Sequence, residues 1–196
     1  LFTYQVDEEI QLKLMELSDA EELFELTNSS RDYLREFLRW VDGTTAAEDT
    51  KAFIQSGLQR FAENKSLTTA ILFHGEIAGV IGFHEINWHN KSASIGYWLG
   101  ENHQGKGIMT RSVKALASYG FDRLDLNRIE IRAAAENGKS RAIPEKLGFV
   151  KEGRIRQAEW LNDRFVDHVI YGMLASEWPY TYNRKPAESK PSDSFQ

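Results

Sequence analysis

Cysteine is absent from all 196 residues, which excludes disulfides, a thiolate nucleophile and cysteine-held metal. Long apolar runs are missing too: no stretch approaches the 18 or so residues of a transmembrane helix. The first ten residues carry Asp7, Glu8 and Glu9 and no cationic segment, so they do not read as a signal peptide. Cytoplasm is the expected compartment. Proline is scarce, with Pro179, Pro186 and Pro191 gathered near the end of the chain. An excess of basic residues is lacking as well. Lys and Arg number 24 against 29 Asp and Glu, a formal charge of −5, which argues against sequence-independent nucleic-acid binding and suits a basic partner or a polyamine. His84 and His89 are too loosely spaced for a metal pair and no His-x3-His occurs, so no metal is expected.

What remains is an ordinary globular composition, 41% hydrophobic and 27% charged, in a chain long enough for one domain with a substantial core. Ile10, Leu12 and Leu14 alternate with Gln11 and Lys13, the pattern of a half-buried strand. Ser18–Glu21 and Thr45–Glu48 have capping-box spacing before apolar helical faces. A further helical segment is expected over 31–38, where Arg31, Arg35 and Arg39 read as a solvated face. Strands over 67–73 and 77–86, joined at His74-Gly75-Glu76, read as a hairpin. Another strand follows over 95–99, then a helix over 109–120, a strand over 128–135, a helix over 138–147 with Gly148 as its C-cap, and strands over 149–156 and 165–174. Residues 178–196 read as a polar, mobile tail, which leaves 1–177 as the folded domain.

The stretch around which these elements are ordered is a β-branched and aromatic strand, Ile95 to Leu99, running into Gln104-Gly105-Lys106-Gly107 and a helix opening at Ile108, Met109 and Thr110. N–H groups at a helix start lack intrahelical partners and face outward, and flanking glycines let a phosphate reach them. Gly100-x4-Gly105-Lys106 approaches a nucleoside-triphosphate loop, but Gly107 stands where a Ser or Thr would hold Mg²⁺. Gly105-x-Gly107 also lacks the third glycine of a dinucleotide fingerprint.

The run resembles the pyrophosphate loop of the acetyl-CoA-dependent N-acetyltransferase superfamily, GNAT, with pattern Gln/Arg-x-x-Gly-x-Gly/Ala; its Gln/Arg position falls here on Asn102. Asn137-Gly138-Lys139-Ser140, then Leu147-Gly148-Phe149 leading to Glu152-Gly153, resembles the same family's Asn-x-x-Ser and Leu-Gly-Phe-x-x-Glu-Gly. Tyr33-Leu34, Trp40-Val41 and Gly96-Tyr97-Trp98-Leu99 resemble its Rim-type members, which acetylate N-terminal amines of ribosomal proteins. The resemblance implies an α/β (α+β) single-domain GNAT fold, a mixed and mostly antiparallel sheet with helices on both faces. It also implies acetyl-CoA as co-substrate, a Leu99 N–H that polarises the thioester, and an acceptor groove near Tyr33, Trp40 and Asp42. The acceptor is a protein α-amine, ribosomal by this resemblance, or a small amine such as a polyamine or aminoglycoside; a CoA-binding module without catalysis is the alternative of another class. No membrane contact is expected, and a homo-oligomer is compatible with the sequence.

For the chemistry, Ser140 is either a proton donor to the leaving sulfur or a helix-terminal serine bonded to backbone. Asn137 is an N-cap, a pantetheine ligand or both. An α-amine of pKa near 8 costs only about 1 kcal/mol to neutralise at pH 7.4, against about 4 for a lysine, so a weak base suffices. Glu85 is the first candidate. His84 alternates to the opposite face, so at most one of the two points into the cleft. Tyr33, Trp40 and Trp88 either line the acceptor groove or belong to the core.

Overall fold

A computed structural model describes residues 2–180. The sheet is assembled from β1 (Thr3–Gln5), β2 (Ile10–Leu14), β3 (Leu67–Phe73), β4 (Glu76–Asn87), β5 (Ser92–Leu99), β6 (Arg128–Ala134), β7 (Val150–Leu161) and β8 (Arg164–Leu174). The helices are α1 (Ala20–Ser29), α2 (Arg31–Leu34), α3 (Ala47–Ala62), α4 (Ile108–Asp122) and α5 (Gly138–Lys146). Strand order is β1-β2-β3-β4-β5-β6-β8-β7. Among the described residues only β5 and β6 run parallel, and α4 is the crossover between them. Among the described residues no helix is long and apolar enough to cross a membrane.

The period-2 pattern of β2 buries Ile10, Leu12 and Leu14 on one face. That face joins the larger core, which Val113, Leu116 and Ala117 of α4 close. On the other face Leu23 of α1 and Ile54 of α3 pack over Ala70 and Val80. A fully buried side chain of this kind contributes on the order of 1.5–3 kcal/mol. The expected sandwich of helices on both faces of a mixed sheet is therefore present.

Local details differ from the sequence reading. The carboxylates that close the caps are not Glu21 and Glu48 but Asp19, which accepts from the Glu16 N–H (2.8 Å), and Asp49, which accepts from the N–H groups of Thr45 (2.9 Å) and Ala46 (3.1 Å). The helix expected over 31–38 stops at Leu34. Arg31 is not a solvated residue: its guanidinium donates to the carbonyls of Val41 (2.6 Å) and Thr44 (2.7 Å), folding the 39–44 turn back onto α2. Trp178, placed by sequence in the polar tail, belongs to the core. Its indole donates to Ser118 Oγ (3.0 Å), and its ring lies 5.6 Å from Phe121 and 6.0 Å from Phe149. The expected tail beyond Tyr180 lies outside the described residues.

Candidate active site

β5 and β6 are in register only as far as Ile95 and Ile131, and beyond that point the two strands part. Pairing of β5 with β4 continues to Leu99, and Gly100 N–H donates to Ala78 O (2.8 Å). N–H groups along a strand point alternately to either side. With Gly100 directed at β4, the N–H groups of Tyr97 and Leu99 point into the gap left by β6. A cavity of about 380 Å³ occupies this gap, lined by Tyr97, Trp98, Leu99, Gln104 and Met109 on one side and by Asn137, Ser140 and Ile143 on the other. Tyr33, Leu34, Phe37 and Leu38 close one end.

At the strand end the sequence forms an anion cradle. Gly105 (φ +77°) and Gly107 (φ +71°) take left-handed conformations that a side chain would strain, and a Cβ on either would stand in open space. The first intrahelical donor of α4 is the Arg111 N–H, to Gly107 O (3.2 Å). The N–H groups of Ile108, Met109 and Thr110 are therefore left for an anion beyond the helix end, where the dipole is positive. Lys106 lies on the same turn, its ammonium 5.6 Å from the centre of the Phe73 ring. These groups fit a pyrophosphate: open space, free donors and a cation. Arg111, unnoticed in the sequence, holds the turn from behind. It pairs with Asp7 (2.7 Å) and Glu9 (2.8 Å) and also donates to Lys106 O (3.3 Å). Gln104 contributes differently from expectation, since its amide donates to Leu99 O (3.1 Å) and fixes the strand end.

Across the gap, Asn137 is the N-cap of α5, its Oδ1 accepting from Ser140 N–H (3.1 Å). Capping is thus the work of Asn137, and Ser140 is among the residues that line the cavity. Tyr97, another residue given no role by sequence, donates its hydroxyl to Ser140 O (2.9 Å) and ties α5 to β5. Burial pushes the Tyr97 pKa well above the usual tyrosine value, so this proton stays in place. Tyr171 anchors the same helix by donating to Glu145 (2.7 Å) while accepting from Arg141 (2.9 Å). Lys139 lies over the Tyr33 ring at 5.0 Å, bridging the two walls.

A second cavity of about 420 Å³ opens on the α1–α3 face of β5, lined by Leu23, Trp40, Thr44, Asp49, Phe53, His84, Gly96 and Trp98. It shares Leu38, Tyr97 and Trp98 with the first, so the two meet at the end of β5. Two residues expected at the site lie outside both cavities. Glu85 lines neither cavity, because strand alternation and the irregularity between Phe83 and Ile86 direct it outward while His84 lines the second. Asp42 is outside both, with its carboxylate engaged by Arg35 Nε and Nη2 (3.0 Å each), a pairing that lowers its pKa. Trp88 also sits elsewhere, its indole donating to Asn64 O (2.6 Å). Trp40 and Tyr33 do line the cavities, Trp40 at 5.6 Å from Trp98. Among the described residues no cluster of three or more His, Asp or Glu is placed to hold a metal ion.

Comparison with known proteins places this geometry. The family model described as an acetyltransferase (GNAT) domain matches residues 9–150. YdaF of Bacillus subtilis, a provisionally named ribosomal N-acetyltransferase, is 35% identical over 91% of this chain and 98% of its own. The structure of RimL, a ribosomal α-N-protein acetyltransferase in complex with coenzyme A, superposes with a TM-score of 0.86 at 31% identity, covering 88% of this chain and 98% of that one. The microcin self-immunity acetyltransferase MccE, in complex with acetyl-CoA and AMP, superposes at 0.83 with 35% identity, covering 86% and 94%.

Proposed function

The chain belongs to the GNAT acetyltransferase family and is an acetyl-CoA-dependent N-acetyltransferase; on that premise we propose that its acceptor is the N-terminal α-amine of a ribosomal protein, in the cytoplasm. The observation that carries this reading is the similarity to RimL across 98% of that chain. Bound acetyl-CoA supplies the activated thioester. The 104–110 turn and the first N–H groups of α4 hold the pyrophosphate. Leu99 N–H, aimed into the gap, donates to the oxygen on which negative charge develops, and fixed donors of this kind are commonly the largest catalytic contribution. Ser140 gives its hydroxyl proton to the departing sulfur, held in place by the Asn137 cap and the Tyr97 clamp. The Asn137 amide nitrogen, left over from capping, is available to the pantetheine arm.

A second reading, a small amine as acceptor, is favoured by the second cavity. A space of about 420 Å³ is within the range of small-molecule sites and exceeds what an N-terminal Ser or Ala side chain fills. Its Trp40 and Phe53 are large and exposed, at 40% and 47%. Flat rings of that kind suit a planar group such as the adenine of the AMP bound by MccE. The deciding experiment compares N-terminal proteomes with and without the gene. Loss of acetyl from a ribosomal N-terminus supports the first reading. Unchanged N-termini, together with in vitro acetylation of a polyamine or an aminoglycoside, support the second.

A further inference from the structure

We propose that the imidazole of His84 is the general base, taking the proton from the acceptor amine as it attacks the thioester. This rests on the N-acetyltransfer reading, whichever amine is the acceptor. The acceptor must reach the thioester where the two cavities meet, because the first cavity runs toward the cofactor cradle and the second leads in from the α1–α3 face. Three titratable groups line the second cavity: Asp49, Tyr97 and His84. The Asp49 carboxylate is spent on the N–H groups of Thr45 and Ala46, and the Tyr97 hydroxyl donates to Ser140 O. Among the described residues no hydrogen bond holds either imidazole nitrogen of His84.

Position makes the same choice. A Cβ built on Gly96 would lie 1.6 Å from His84 Nε2, so the ring occupies the space over the Gly96 α-carbon. That is the residue before Tyr97, just past the point where β5 leaves β6. Glycine at 96 is what admits the imidazole. The strand is held from α3, where Arg60 Nη2 donates to His84 O (3.0 Å). Arg60, in the last turn of α3, is the charged group that acts on this ring, while Asp49, in the first turn of α3, is the charged residue elsewhere on the cavity wall. The groups from α1 (Leu23, Thr27), β3 (Thr68) and the 39–44 turn (Trp40, Thr44) are uncharged. His84 is an exposed residue, yet surrounding protein and the Arg60 charge both lower its pKa below the usual histidine value. His84 is consequently neutral and able to accept a proton at neutral pH.

The step balances as follows. The amine lone pair forms the C–N bond at the thioester carbonyl while the carbonyl π electrons move to oxygen. The N–H proton passes to His84. The electrons then return, the C–S bond breaks, and the sulfur takes the Ser140 hydroxyl proton; water re-protonates Ser140, and His84 releases its proton to the hydroxide so formed.

His84→Gln should lower kcat about 100-fold or more, with CoA affinity unchanged by calorimetry, and exogenous imidazole should partly restore His84→Ala. In wild-type enzyme kcat/KM should fall with an additional limb below the usual histidine range, and that limb should vanish in His84→Gln. Nuclear magnetic resonance of labelled histidine gives a readout independent of turnover: His84 should titrate below about 6.5, and Gly96→Ala, by displacing the ring, should shift it back toward that value. Wild-type turnover retained by His84→Gln with a parallel pH profile overturns the base alone. Wild-type enzyme that acetylates no amine overturns the transfer reading and the base together.

Discussion

On the proposed cofactor side of the cleft the anion cradle is made by backbone within the single run 104–110, whereas the wall of the second cavity, the proposed acceptor side, is assembled from Leu23 of α1, Trp40 of the 39–44 turn, Phe53 of α3, His84 of β4 and Trp98 of β5. The first is local, since two glycines and a helix start suffice whatever the rest of the chain does. The second exists only after α1, α3 and the sheet have come together. A phosphate is much the same in every CoA enzyme, so a local backbone device serves. An acceptor differs from enzyme to enzyme, and distributed side chains can change without disturbing the cradle.

The contrast can be broken by substitution. Gly105→Val should have the largest effect, because a branched side chain is strained at positive φ and projects into the space the phosphate needs. CoA affinity measured by calorimetry should fall about 100-fold or more while the circular dichroism spectrum stays native, a loss of about 2.7 kcal/mol of binding. Ser140→Ala should lower turnover by about 10- to 1,000-fold with CoA affinity kept, the signature of a lost proton donor. Arg31→Ala sharpens the distinction on the acceptor side. Removing its bonds to Val41 O and Thr44 O releases the turn that carries Trp40. Acceptor KM should rise about 5- to 10-fold with CoA affinity within about twofold, in line with the loss of hydrogen bonds from a charged donor. The smallest effect is expected from Asp42→Asn and Glu85→Gln. Both side chains lie outside the two cavities, so steady-state kinetics should change by no more than about twofold, the scale of surface substitutions.

The same contrast explains what could be read from the chain alone. Strand alternation at Ile10, Leu12 and Leu14, the helical period of α4 and the two glycine-containing motifs are local patterns, and they made the fold legible and pointed to the 104–110 turn as the candidate anion site. Glu85 is a candidate from its chemistry and strand position, and Asp42 from the family resemblance; neither reading carries the geometry of the site. Alternation narrowed the choice to one of His84 and Glu85, but which face carries the cavity depends on where α1 and α3 pack. Asp42 was lost to Arg35, and Arg31 proved to be the staple of a turn; neither contact has a periodic signature. Tyr97 sat in plain view within the central strand, yet its bond to Ser140 O spans 43 residues. Trp178 was misread because a polar, proline-bearing neighbourhood outweighed a single aromatic, whose pocket is formed by Ser118, Phe121 and Phe149.

The most direct test of α-amine transfer measures thiol release and product mass with two peptides of the same sequence, one with a free Ser or Ala N-terminus and one blocked there but carrying internal lysines. The account predicts acetylation of the free α-amine alone, with kcat/KM levelling off near pH 8, where that amine is neutral. Equal rates on the blocked peptide with kcat/KM climbing toward pH 9 or 10, or turnover confined to spermidine, would contradict it.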